Sequence, residues 1–218
     1  QLRQRVAQES LDDPDAGGER GHEEWRRRVA ELETAALRII VRKAAAARSE
    51  GDHRMLLDYC RGRDFFVDMP TDVVSEAMKL LEWKRYETGE MLFMENKQVM
   101  QVFLVLKGTV QLEAGNLAVA KGLAERIGAT SLRPLGSVMG ARELADKVGK
   151  LQPQMWDEAR YVWNAVAHGN AAEVFMLPVA KLKRLWEAHV MQERLATLKI
   201  FPLTKGLSTQ QLKIFPLT

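Results

Sequence analysis

"YETGEMLFMENKQVMQVFLVLKGTVQLEAGN", residues 86–116, holds three short runs rich in β-formers, at 91–94, 102–106 and 109–112. Polar breaks and the glycines Gly89, Gly108 and Gly115 punctuate them. Branched and aromatic side chains suit a pleated, half-buried surface, and glycine suits the turns between such runs. Several short strands in succession predict a small β-sandwich or barrel.

Helical patterns flank these strands. Upstream, Trp25, Val29, Leu32, Ala36 and Ile39 recur at spacings of four and three, which lays one apolar stripe along a helix. The run "RRR" at 26–28 then reads as a solvated basic side of that helix. A second helix is predicted from Thr71, placed as N-cap behind Pro70, through Trp83, with Val74, Ala77, Met78 and Leu81 inward. Downstream, "YVWNAVA" and "AAEVFMLP" predict two further strands, and Val179–Leu198 a long helix opened by Pro178. Over 118–136 the sequence accommodates one more strand with a loop, and "DKVGKLQPQMWDE" has the look of an insertion.

Composition narrows the function classes. With 46% hydrophobic residues in 218, the chain suits one packed domain with flanking helices and holds no run long enough to span a bilayer. The net charge of +3 is small for this length and gives no global case for nucleic acid. A single cysteine, Cys60, and no apolar run of the signal-peptide kind point to a reducing, intracellular compartment. The four histidines are scattered over different elements without paired spacing, so no metal site and no catalytic residue is expected. Cys60 reads as a buried structural thiol, and Trp83, Trp163 and Trp186 as packing aromatics.

The ordered set "FFVDMPTDVVSEAMKLLEWKRY", "YETGEMLFMENKQVMQVFLVLKGTVQL" and "PLGSVMG" resembles the cyclic-nucleotide-binding domain of kinase regulatory subunits, gated channels and catabolite-activator-type regulators. Tyr86, Gly89, Glu90, Phe93, Gly108 and Val110 fall in step with that family, and the resemblance covers roughly residues 60–200. It implies an α+β protein, a cupin-like β-jelly-roll barrel flanked by N- and C-terminal α-helices. It also implies a cassette in which backbone N–H groups and an arginine hold a cyclic phosphate.

Transferred residue by residue, that cassette departs from the family. Gly140 matches the family glycine, but Ala141 stands where a ribose-binding glutamate belongs and accepts no hydrogen bond. Glu143 comes two positions later, on a different side of a helical turn. Leu144 completes the cassette. Arg160 matches the phosphate arginine by its place before a strand, with a surface ion pair to Asp157 or Glu158 as the competing reading. Trp163 stands where a small hydroxyl residue is usual, and its indole would fill much of the pocket.

The expectation is a non-catalytic domain with a degenerate pocket, acting as an interaction or structural module in a large intracellular assembly of other proteins. The alternative is a sensor of cyclic AMP or cyclic GMP that regulates a partner through its C-terminal helix. No cofactor, nucleic-acid partner or membrane span is expected, and the location is cytoplasmic, with a cytoskeletal or ciliary setting in view. The organisation that follows is a flexible arm (1–20), a helical segment (21–59), the cyclic-nucleotide-binding-like domain (60–198) and a linker or the start of a second similar domain (199–218). "LKIFPLT", which occurs at 198–204 and again at 212–218, belongs to that last stretch and to an expected longer polypeptide.

Overall fold

The structure, a computed structural model, describes residues 32, 34–116, 130–145, 150–151 and 153–200. The arm at 1–20, the basic run at 26–28 and the repeated stretch beyond residue 200 lie outside the described residues.

Strands β1 (Glu82–Tyr86), β2 (Met91–Phe93), β3 (Gln101–Ala114), β4 (Thr130–Arg133), β5 (Val138–Met139) and β6 (Trp163–Pro178) are all antiparallel. The long strands β3 and β6 pair along their whole length, from Gln101 with Pro178 to Ala114 with Trp163. Their register shifts between Val105 and Lys107 and again between Lys107 and Thr109. On one side of these bulges β6 carries β1 and β3 carries β5; on the other, β6 carries β2 and β3 carries β4. The outcome is two four-stranded halves sharing one bent pair of long strands, the arrangement of a jelly roll.

The bulge explains why two sequence runs at 102–106 and 109–112 form one strand, and why "YVWNAVA" and "AAEVFMLP" merge into another. Gly108 sits at the bend with φ 77°, and a Cβ there would lie 2.5 Å from the carbonyl oxygen of Ala171. Only glycine fits so close a crossing of two backbones.

Among the described residues four α-helices precede the barrel: α1 (34–42), α2 (Glu50–Arg61), α3 (Asp64–Val67) and α4 (Thr71–Met78). One, α5 (Val179–Ile200), follows it. Ser49 caps α2 reciprocally with Asp52, each side chain accepting from the other's backbone N–H, at 3.1 and 2.8 Å. Helix α1 buries Leu37, Ile40 and Val41, whereas Ile39 is 64% exposed and Leu32 43%. Leu32 and Ile39 of the predicted stripe therefore face outward, while Ala36 is half-buried.

The helix expected to reach Trp83 stops at Met78, with Pro70 as N-cap and Thr71 as first helical residue. Residues 82–86 are recruited by β6, where Trp83 pairs with Phe175 and Tyr86 with Ala172. Sheet pairing overrides a helical propensity that is only a weak preference. Buried Arg48 helps fix this ending. Its guanidinium donates to the carbonyls of Met78 at 3.0 Å, Leu81 at 2.8 Å and Val41 at 3.2 Å, closing the ends of α4 and α1 together. Burial lowers its pKa, with Asp52 pulling in the other direction.

One hydrophobic core runs through helices and barrel, from Leu37 and Leu56 through Val74 and Phe103 to Phe175 and Leu182. At its border Glu173 of β6 holds Arg38 in an ion pair and accepts from Trp83 Nε1 at 3.2 Å, while Arg42 lies over the Trp83 ring at 4.3 Å. Helix α1 is thereby tied to the sheet. Trp83 acts as a packing aromatic, as its sequence context suggested.

Candidate functional site

The cassette begins where the chain turns off β5. Gly140 has φ 79°, and a Cβ on it would meet the carbonyl oxygen of Gln101 at 2.8 Å and the Tyr161 ring at 3.2 Å. Ala141 then turns helical, and a single 3-10 turn follows at Arg142–Leu144. Leu144 is buried, while Ala141 and Glu143 are half-buried. The structure thus brings four of the sequence candidates, Gly140, Ala141, Glu143 and Leu144, into one compact segment.

Glu143 is engaged inside the protein: one carboxylate oxygen accepts from the Val162 N–H at 3.4 Å. Arg160 forms a β-bridge with Gln98, and its guanidinium donates to the Asn96 carbonyl at 3.2 Å. Asp157, one of its two expected acidic neighbours, is taken by Lys183 of α5. Trp163 opens β6 opposite Ala114 and is 5% exposed. Neither Arg160 nor Trp163 lines the two cavities that flank the cassette.

The indole beneath the 3-10 turn belongs to Trp156, which sequence reasoning placed in an insertion. Trp156 is 1% exposed and donates from Nε1 to the Leu144 carbonyl at 2.9 Å. It packs edge-on against Trp186 of α5, with centroids 6.2 Å apart. A lone tryptophan inside the polar run "QPQMWDE" was the signal that could have revealed it, since a ring of that size rarely stays in water. Nearby Tyr161 stacks on Phe93 at 4.1 Å and donates to the Gln101 carbonyl at 2.7 Å. Burial pushes its phenol up to about 12.

The two cavities differ. The smaller, about 200 Å³, lies where Glu143, Leu144 and Ala145 face Met155, Glu158 and Ala159. The larger, about 590 Å³, opens between the 3-10 turn, the β4–β5 connection and the α2–α3 junction. Arg63, Arg133 and Arg142 line it. Cys60 stands just behind that junction, fully buried, its thiol pushed up to about 12 by burial against the opposing pull of Arg63. Such a thiol is inert rather than nucleophilic. Among the described residues no three His, Cys, Asp or Glu side chains gather as metal ligands do, and no described helix is long and apolar enough to cross a membrane.

With this geometry in place, solved structures supply the comparison. The chain is similar to the regulatory domain of Toxoplasma gondii PKA with cAMP, at 13% identity and TM-score 0.46, with 76% of this chain and 57% of that one covered. It is likewise similar to a putative cyclic nucleotide-binding protein from Geobacter metallireducens, at 19% identity and TM-score 0.41, covering 65% and 96%. A third is the regulatory subunit of a cAMP-independent protein kinase A from Trypanosoma cruzi bound to guanosine, at 14% identity and TM-score 0.46, covering 76% and 53%. This chain spans little more than half of the first and third of these. No family model and no curated protein sequence matches the chain. The jelly roll itself rests on the strand pairing described above.

Proposed function

We propose that this chain is a non-catalytic, cyclic-nucleotide-binding-like module whose nucleotide cradle has closed, and that it works through protein contacts made by its flanking helices in a larger intracellular assembly. The observation that carries this reading is Trp156, seated under the cassette with its N–H on the Leu144 carbonyl. Support comes from the missing acceptor at Ala141 and from the engagement of Arg160 by Asn96. Losing one charge-assisted hydrogen bond weakens binding about ten- to a hundredfold. Here the acceptor and the arginine are both diverted, and an indole occupies the floor.

Calorimetric titration of the 218-residue chain with cyclic AMP and cyclic GMP tests this. The expected result is no heat at millimolar ligand from a folded protein. Micromolar binding that Arg160→Ala abolishes would overturn it.

One observation favours the sensor as a second reading. Helix α5 rests directly on the cassette's support, through Trp186 on Trp156 and Lys183 on Asp157. A ligand that displaced Trp156 would shift the position of α5 by its differential affinity for the two arrangements. The same titration decides between the readings.

A further inference from the structure

We infer that the arginine-lined cavity on the opposite side of the 3-10 turn is a separate binding site for a phosphate monoester carrying hydroxyl groups, of the sugar-phosphate or nucleoside-monophosphate kind. Its volume, about 590 Å³, lies in the range of small-molecule sites. Three guanidinium groups come to it from distant parts of the chain: Arg63 from the α2–α3 junction, Arg133 from the end of β4 and Arg142 from the 3-10 turn.

Among the described residues no carboxylate pairs with Arg63, Arg133 or Arg142. Arg63 is held rather than loose: its guanidinium lies over the Tyr59 ring at 4.8 Å, and its Nε is enclosed without a hydrogen-bond partner. It also sits against Gly136, where an added Cβ would lie 2.7 Å from its Nη1. A glycine with φ 82° thus leaves room for a guanidinium at the cavity wall. Guanidinium groups that meet no carboxylate among the described residues match the oxygens of a phosphate, since each presents a planar fork of donors.

The rest of the lining selects what the phosphate is attached to. Asp64 and Asp68 border the same cavity, and carboxylates there accept hydrogen bonds from sugar hydroxyls, while they disfavour a second phosphate. Ser137 adds a hydroxyl, and Phe65 and Val138 an apolar wall. A bare anion would use only the arginines; a hydroxylated phosphate ester uses the whole lining.

The site borders the cassette at Ala141 and Arg142, but Trp156 and Arg160 take no part in its lining. Its test therefore shares no variant with the titration above. The 218-residue chain is titrated calorimetrically with ribose 5-phosphate, adenosine 5′-monophosphate and inorganic phosphate, at one fixed ionic strength.

The expected result is binding of the two esters that weakens about tenfold or more in Arg142→Gln and in Arg133→Gln, as loss of a charge-assisted contact requires. Asp68→Asn weakens ribose 5-phosphate more than inorganic phosphate. Arg142 is exposed, so Arg142→Gln keeps the fold and the experiment does not depend on a variant that unfolds. No heat with either ester at millimolar concentration overturns the inference. So does binding that survives both arginine substitutions, or inorganic phosphate binding as tightly as the esters.

Discussion

The two sides of the turn Arg142–Leu144 have been built in opposite ways. Inward, Leu144 and Trp156 close on each other, with the indole N–H on a main-chain carbonyl and the ring against α5. Outward, Arg142 joins Arg63 and Arg133 around a cavity of about 590 Å³. The indole N–H of the inner side is satisfied by the protein, whereas the outer side presents guanidinium groups that meet no carboxylate among the described residues. Satisfied buried donors stabilise a fold, and unsatisfied ones at a cavity are what a ligand completes. The outer cavity adjoins Ala141, where the resemblance places a ribose contact, but draws its donors from Arg63, Arg133 and Arg142.

The strongest way to break the inner side is Trp156→Ala. Removing a fully buried tryptophan costs about 3–5 kcal/mol through lost transfer free energy and the cavity left behind. The Leu144 carbonyl also loses its donor. Chemical denaturation of the variant checks this, and a loss below about 1 kcal/mol would show that the segment collapses without its plug. Helix α5 should loosen at the same time, with faster amide exchange around Trp186 than around Leu182.

Next in size is a contrast between arginines. Arg48 holds the Met78, Leu81 and Val41 carbonyls from a buried position, so Arg48→Met strands helix-end acceptors and costs about 2–4 kcal/mol. Arg142→Gln, on the exposed rim of the cavity, changes stability by about 0.5 kcal/mol or less. Paired urea titrations read the difference directly. Equal costs would mean that Arg142 is structural and would erase the distinction between the two sides.

Gly140→Ala is smaller again and bears on both sides, since Gly140 sets the direction in which the turn leaves β5. With φ 79° and the Gln101 carbonyl oxygen 2.8 Å from an added Cβ, it costs about 1–3 kcal/mol in strain. A variant as stable as the parent would show that the crossing relaxes freely.

The barrel was legible in the sequence because runs rich in β-formers and turn glycines are local signals. Gly108 stood in the quoted stretch at the very bend that splits the sheet into halves. Strand β1 was not legible. "EWKRY" follows a good helical pattern, and its partner β6 lies some ninety positions later, where Glu82 meets Met176. The cassette residues could be placed by resemblance, but the closing of their inner side could not, because Trp156 acts across the chain on a carbonyl rather than through a motif. The arginine cavity was hidden for the same reason: Arg63, Arg133 and Arg142 share no spacing, and only the fold assembles them.

The smallest effect concerns the other hold on α5. His189 Nδ1 lies 2.6 Å from an Asp72 carboxylate oxygen, clasping α5 to the first turn of α4, and Glu193 stands 3.4 Å from the other ring nitrogen. Burial works against the Asp72 carboxylate, but the hydrogen bonds from His189 and the Val73 N–H outweigh it and hold its pKa below the usual carboxylate range. The folded state therefore binds this proton more weakly than the unfolded chain. Its contribution is complete above about pH 4 and disappears as the pH falls through the lowered value. Asp72 is 59% exposed in its side chain, so solvent screening keeps the effect to about 0.5 kcal/mol or less. Asp72→Asn should lower the Tm slightly at pH 6, and the gap to the parent should close towards pH 3. A gap that persists in acid would assign the clasp to shape rather than charge. Because this contact involves neither Trp156 nor Lys183, its loss should add to that of Trp156→Ala without coupling, which separates the helix's anchorage on α4 from its anchorage on the cassette.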